Sequence, residues 1–293
     1  MMKQAQNIYK LSDGIRNIIS KLTIKTLLVV IMCALGILVL SLFLPPAYDW
    51  SKVFRPAALA LINGRSPYEI NYFINPPWVL IPFLPLLLVP EAVGRAIVTL
   101  YALIALAYLT YRLGAKPIAS LLFLLSPPVI QMIQDGSIDW LAALGFIFPP
   151  QIGLFFVVVK PQVGIAVVIF WLVQSWRKGR LREIIRVFAP ISLVTIISLG
   201  VFGFWPLGIN NALKWGVTAS LWPLSIPIGL VLIVGAIRKQ KIKYAMASSP
   251  FLSPYVILHS WIGPLLAIVS SVPETVAAVV GLWIVVAIRW AGY

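Results

Sequence analysis

Apolar residues in this chain come in long runs rather than in the strict alternation of a half-buried strand, and prolines and short clusters of charge cut the runs apart. The first run, 27–44, has about the ~20 residues that a bilayer-spanning helix requires, and it ends at Pro45-Pro46. Runs at 93–111, 117–131, 163–176, 188–205, 221–237 and 275–288 read as further membrane helices. Two runs, 140–148 and 151–159, flank Pro149-Pro150 and are too short to cross. Ten helical residues rise ~15 Å, half of a ~30 Å hydrocarbon core, so the second of them should stop at Lys160 within the bilayer. The stretch 76–90 is short as well and is broken by Pro82 and Pro85; it reads as a half-buried helix on the outer leaflet. After Ile242 two readings stay open: one kinked span over 245–269, or a broken segment that enters and returns at the Ser-Pro breaks.

Charge orients these runs. With the N-terminus inside, the basic clusters around Lys3 to Lys25, Arg112 and Lys116, Arg177 to Arg186 and Arg238 to Lys243 all fall on the inner side, as the positive-inside rule requires. Six of the 8 acidic residues, Asp49, Glu69, Glu91, Asp135, Asp139 and Glu274, then fall on the outer side. Counting 76–90 as a full span would reverse both signs. Three aspartates, Asp49, Asp135 and Asp139, are thereby brought to one aqueous face.

Composition agrees with a multi-pass, all-α membrane protein of about ten transmembrane helices: 61% of residues are hydrophobic and only 11% charged. The net charge of +15 reports orientation rather than a nucleic-acid partner, because the bases sit in clusters between apolar runs and build no groove with interleaved aromatics. A lone cysteine, Cys33, excludes a disulfide framework. Residues 1–26 form a basic segment in which Ile8, Leu11, Ile15, Ile18 and Leu22 recur at helical spacing, as in a helix lying on an anionic membrane surface; a frayed basic tail is the alternative. Because 42–46 is a poor cleavage site, the first run reads as an uncleaved anchor. The whole of 1–293 reads as one domain with a first outer loop over 45–91 containing interfacial helices.

Few residues can carry chemistry. Asp49, at the outer end of the first span, is either a helix cap or a general base whose proton affinity is raised by a low-dielectric wall. Asp135 and Asp139 either form an acidic loop or share a cation. Lys160, between a Val-Val-Val run and Pro161, either snorkels or meets an anionic phosphate. His259 reads as a core histidine unless the Ser-Pro break carries it to the acidic face. HExxH, CxxC, GxSxG and phosphate-loop motifs are absent, which argues against metalloprotease, redox, serine-hydrolase and nucleotide chemistry.

Tyr48-Asp49-Trp50, Phe54-Arg55-Pro56, Asn63-Gly64-Arg65-Ser66-Pro67-Tyr68 and Asn75-Pro76-Pro77-Trp78, with Lys160-Pro161-Gln162 and Ser253-Pro254-Tyr255 to His259, resemble the motifs of GT-C membrane glycosyltransferases. The resemblance is to family 87, the polyprenol-phosphate-mannose-dependent mannosyltransferases. Where that family has a Gly-Gln pair after its third span, this chain has Asp135-Gly136-Ser137.

The resemblance implies a GT-C-like bundle that transfers a sugar, mannose first, from a polyprenyl-phosphate donor to a lipid or glycan acceptor hydroxyl at the outer face of the cell membrane, with inversion. It implies Asp49 and His259 as catalytic residues, Lys160, Arg55 and Arg65 at the donor phosphate, and Asp135, Asp139, Tyr68 and Gln162 as positioning groups. Neither a cofactor nor a metal is expected. The competing reading is a membrane transporter or lipid-handling protein with the same charges along a pathway.

Overall fold

The computed structural model describes residues 2–208 and 218–292, with side chains from residue 23 onward. Among these residues the chain is helical, with no strand. The first helix, α1 (Met2–Phe43), contains a 21-residue apolar stretch, Thr23–Phe43, none of which is buried. Its Leu27, Val30, Met32, Leu42 and Phe43 are exposed around the helix, an arrangement suited to lipid and not to water. The backbone of the basic N-terminal segment is helical and continuous with this stretch, whereas the side chains up to residue 22, on which its expected amphipathic face rests, lie outside the described residues.

Past Pro45-Pro46 the first outer loop folds into short pieces: a π-helical turn over Asp49–Phe54, α2 (Arg55–Ile62), a one-turn 3-10 helix Pro67–Glu69 and a 3-10 helix Pro77–Leu88. Ser66 and Glu69 close a capping box on the one-turn helix. Pro82 and Pro85 lack the N–H that an α-helix would need from them, which keeps Pro77–Leu88 in the tighter form and short of a crossing. Its Phe83 packs edge-on against Trp50 and tilted against Phe54.

The helices that follow are α3 (Glu91–Arg112), α4 (Pro117–Leu124), α5 (Pro127–Asp135), α6 (Asp139–Leu144), α7 (Pro150–Val157), α8 (Pro161–Phe202), α9 (Ile226–Lys239), α10 (Ile242–Ser248), α11 (Ile262–Ile268) and α12 (Val272–Trp290). Four helices, the 23–43 part of α1 with α3, α8 and α12, are long and apolar enough to cross a membrane, and a fifth crossing results if α4 and α5, bent by 50°, count as one. Ser126 before Pro127 is forced into extended geometry, and this causes the bend. The 42 residues of α8 leave helical geometry at Gly179 and Arg180, inside the basic cluster, so this element is two helices joined at a break. Of the other expected membrane segments, α6, α7, α10 and α11 are each too short to cross alone, and 221–237 is helical only over the 14 residues of α9, also short of a crossing.

Helix direction sorts the polar ends. Arg112, the basic run 177–186 and Arg238–Lys243 cap the same end, where Gln174 Nε2 donates to Gln240 Oε1 at 3.2 Å and an Arg177 N–H donates to Ile237 O at 2.8 Å. The outlet of α1, the start of α3, Asp135 and Lys160 gather at the other, where Trp50 Nε1 donates to Glu91 O at 3.1 Å.

After Ile242 the chain folds back on itself, as the broken-segment reading expects and a single kinked helix does not. A 3-10 turn over Ser249–Leu252 and another over Leu258–Trp261 reverse the chain, and α11 comes back against α10 so closely that a Cβ on Gly263 would lie 2.8 Å from Met246 O. Serines supply hydrogen bonds to the broken backbone. Ser248 Oγ donates to Gly229 O, Ser225 Oγ to Phe251 O and Ser253 Oγ to Tyr255 O, while Ser249 Oγ accepts from Ala166 N.

Candidate functional site

At the acidic end lies a cavity of about 750 Å³, and five residues singled out by sequence line it: Asp49, Asp135, Lys160, Gln162 and His259. They come from five places in the chain. Asp49 opens the π-helical turn after α1, Asp135 ends α5, Lys160 precedes α8, Gln162 lies in its first turn, and His259 sits in the second reversal of the 242–269 segment.

Beneath the wall is a network centred on Asp139, which is 0% exposed. Its Oδ2 accepts from Ser137 Oγ at 2.9 Å and stands 3.2 Å from Lys160 Nζ, which donates to the same Ser137 hydroxyl at 3.0 Å. Ser260 Oγ donates to Oδ1 at 3.0 Å. His259 Nδ1 is 2.9 Å from Oδ2, within ion-pair distance but off the line of a hydrogen bond, and its Nε2 is 4.0 Å from Asp135 Oδ2. The His259 backbone N–H donates to Gln131 Oε1 at 3.2 Å. Both Asp139 oxygens are therefore engaged, as a buried carboxylate requires.

This corrects two expectations. Asp139 does not share the aqueous face with Asp49 and Asp135; it lies under it, because Gly136 (φ 69°) ends α5 in left-handed geometry and turns the chain inward. The anion facing Lys160 is Asp139 itself, so the ammonium, 8% exposed, is compensated without a ligand. An ammonium has three N–H donors; one goes to Ser137 while the charge pairs with Asp139, so an N–H remains for the cavity that Lys160 lines. As for a cation shared by Asp135 and Asp139, no three His, Cys, Asp or Glu side chains among the described residues are grouped to hold a metal ion.

Asp49 differs from its neighbours. Half-buried at the cavity wall, it makes no hydrogen bond or ion pair among the described residues and caps no helix. Gln162, buried beside Lys160, likewise has no hydrogen-bond partner among them. No known family, curated protein or solved structure matches this chain.

Arg55 and Arg65 do not reach the cavity. The Arg55 guanidinium donates to Leu86 O and Val89 O, both at 3.0 Å, and lies over the Trp50 ring; it ties α2 to the end of the 3-10 helix. Arg65 is exposed and pairs loosely with Glu69 at 3.9 Å. Tyr68 acts one step removed. Its hydroxyl donates to Asn75 O at 2.9 Å, and Asn75 Nδ2 donates to Val159 O at 2.9 Å, fixing the peptide that precedes Lys160. Burial pushes the Tyr68 phenol up, so it remains a donor at any ordinary pH.

Sequence reasoning missed Ser137 and Ser260, visible only as neighbours of Asp139 and His259, and missed Arg95. That arginine, buried in α3, donates to Pro45 O, to Ile133 O and Gln134 O, and to Thr99 Oγ1, so it links the outlet of α1 to the end of α5. A cation near the start of an apolar helix was the available signal.

Gly136 brings the two cavity carboxylates together, since a Cβ there would meet Ala47 Cβ at 2.9 Å and Trp50 Cβ at 3.1 Å. Gly136→Ala is expected to lose about 2 kcal/mol or more, from left-handed strain and from the contact. Gly281→Ala, where nothing lies within 4 Å, should be neutral or slightly stabilising. Thermal unfolding of both variants in one detergent tests this, and equal midpoints would deny Gly136 its role.

Proposed function

We propose that this protein is a GT-C-like membrane glycosyltransferase that moves a sugar, mannose first among candidates, from a polyprenyl-phosphate donor to a lipid or glycan hydroxyl at the outer face of the cell membrane. One observation carries the reading: an unpartnered carboxylate, Asp49, and a buried ammonium, Lys160, line the same cavity at the acidic end of the helices. Glycosyl transfer from a lipid phosphate needs those two groups. The acceptor oxygen attacks the anomeric carbon, the bond from that carbon to the phosphate oxygen breaks, and configuration inverts. Asp49 takes the hydroxyl proton. The remaining Lys160 N–H donates to the departing phosphate, which leaves with the bonding electrons.

Asp139 and Ser137 hold the ammonium in place, and Gln162 offers an amide to the sugar or phosphate. His259 lies between Asp139, near its Nδ1, and Asp135, 4.0 Å from its Nε2, which suits it to orient the acceptor or to pass on its proton. The apolar helices around the cavity suit a donor whose tail stays in lipid. Sorting of the basic residues to the opposite end supports an outer location for the site under the positive-inside rule.

The test is incubation of the purified protein with labelled polyprenyl-phosphate-mannose and a panel of lipid and glycan acceptors. Transfer of label to one acceptor, with release of polyprenyl phosphate, is expected. Alternating exposure of the cavity to both sides without sugar transfer would replace the enzyme by a transporter. Turnover is also expected to persist in excess chelator, because the Asp139 oxygens are engaged within the protein; loss with EDTA and rescue by a divalent cation would return the carboxylates to a metal.

A further inference from the structure

A second cavity, of about 570 Å³, opens at the basic end of the helices and is separate from the site above. Its wall carries Gln174, Ser175, Arg177 and Lys178 from the first arm of α8, Glu183 from the second arm, and Gln151 from the start of α7. Ser175 is the informative residue. It is only 5% exposed, yet it makes no hydrogen bond among the described residues and lines the cavity. Its hydroxyl is left for whatever occupies the cavity, water or a ligand group.

The surrounding charge identifies the kind of partner. Glu183 is the one acidic group on the wall, and Lys178 at 3.3 Å and Arg186 at 3.6 Å hold its carboxylate. Arg177 uses one N–H on Ile237 O and keeps four of the five that a guanidinium carries. The eight-residue α7 begins on the cavity wall at Pro150; the prolines carry no N–H and Ile152 and Gly153 give theirs to Pro149 O, so the Gln151 N–H is the donor that its first turn leaves for the cavity. Trp171 and Val187 give the wall an apolar strip beside these groups.

We propose that this cavity binds a phosphate group, held by Arg177, Lys178, Ser175 and the Gln151 N–H, with an anionic phospholipid of the adjacent leaflet as its carrier. The apolar strip favours the lipid over free phosphate because it can cover the first carbons of a glycerol ester.

Native mass spectrometry of the full chain in a neutral detergent tests the proposal, with phosphatidylglycerol, phosphatidylcholine and inorganic phosphate as probes. One phosphatidylglycerol should be retained in preference to phosphatidylcholine. Lys178→Gln and Ser175→Ala should each weaken it, Lys178→Gln by about tenfold as for a lost charge-assisted hydrogen bond. Arg182→Gln, an exposed member of the same cluster that is not on the wall, should change it less than about twofold. Saturable inorganic phosphate binding that the same variants abolish, without lipid preference, would keep the phosphate site and change its carrier. Equal retention of both lipids with no phosphate binding, or an effect of Arg182→Gln as large as that of Lys178→Gln, would overturn it, since either marks diffuse surface attraction.

Discussion

Asp49→Asn should slow sugar transfer by about 10²- to 10⁴-fold, the range that a positioned general base supplies, while the protein folds as before. The fold should be indifferent because the Asp49 carboxylate holds no partner among the described residues, so the amide leaves nothing unpaired. Its size and polarity are kept; only the proton acceptor goes. Turnover and thermal unfolding measured on the same preparation decide the matter. Wild-type turnover would remove Asp49 from the mechanism, and turnover slowed by that factor with normal donor binding is the expected pattern.

Lys160→Met should act on both stability and binding. Removing the ammonium strands Asp139, wholly buried, with two serine hydroxyls and an imperfectly aligned histidine, and breaking a buried pair from one side costs about 3–5 kcal/mol. The double variant Lys160→Met/Asp139→Asn should recover much of that loss, since the charge left behind is then gone. Lys160→Arg should restore neither stability nor donor binding fully, because a planar guanidinium cannot occupy the point between Ser137 and Asp139 that an ammonium fills. Unfolding midpoints of wild type, Lys160→Met, Asp139→Asn and the double variant form the cycle; strict additivity would mean that the two residues do not interact. Donor binding by the stabilised double variant then isolates the remaining N–H of Lys160, and undiminished binding would place the phosphate elsewhere.

The apolar runs and their proline breaks made most helices legible, because a helix in lipid announces itself by length and composition. Lys160 and Asp49 were legible for the same reason: each is an ionisable group where an apolar run stops. Asp139 was misplaced because burial depends on what stands opposite, and its partners Lys160, His259 and Ser260 lie far along the chain. Arg55 and Arg65 look alike in sequence, but Leu86 and Val89 carbonyls take up the first and solvent the second. Neither acceptor leaves a mark in the sequence. The return of the chain after Ile242 was one of two open readings, since proline shows where a helix breaks but not where the chain goes next.

The serines that mend the broken backbone around α10 set two requirements against each other. Replacing Ser225, Ser248 or Ser253 by alanine makes the segment more apolar, which eases transfer of a nascent helix from the insertion machinery into lipid. The same change strips a donor from Phe251 O, Gly229 O or Tyr255 O, and where hydrocarbon surrounds such a carbonyl no water replaces it. Each loss is modest, about 0.6 kcal/mol on average for such contacts between membrane helices. Three together would yield a chain that inserts more readily and assembles less well, so expression level in the membrane would rise while the folded fraction fell.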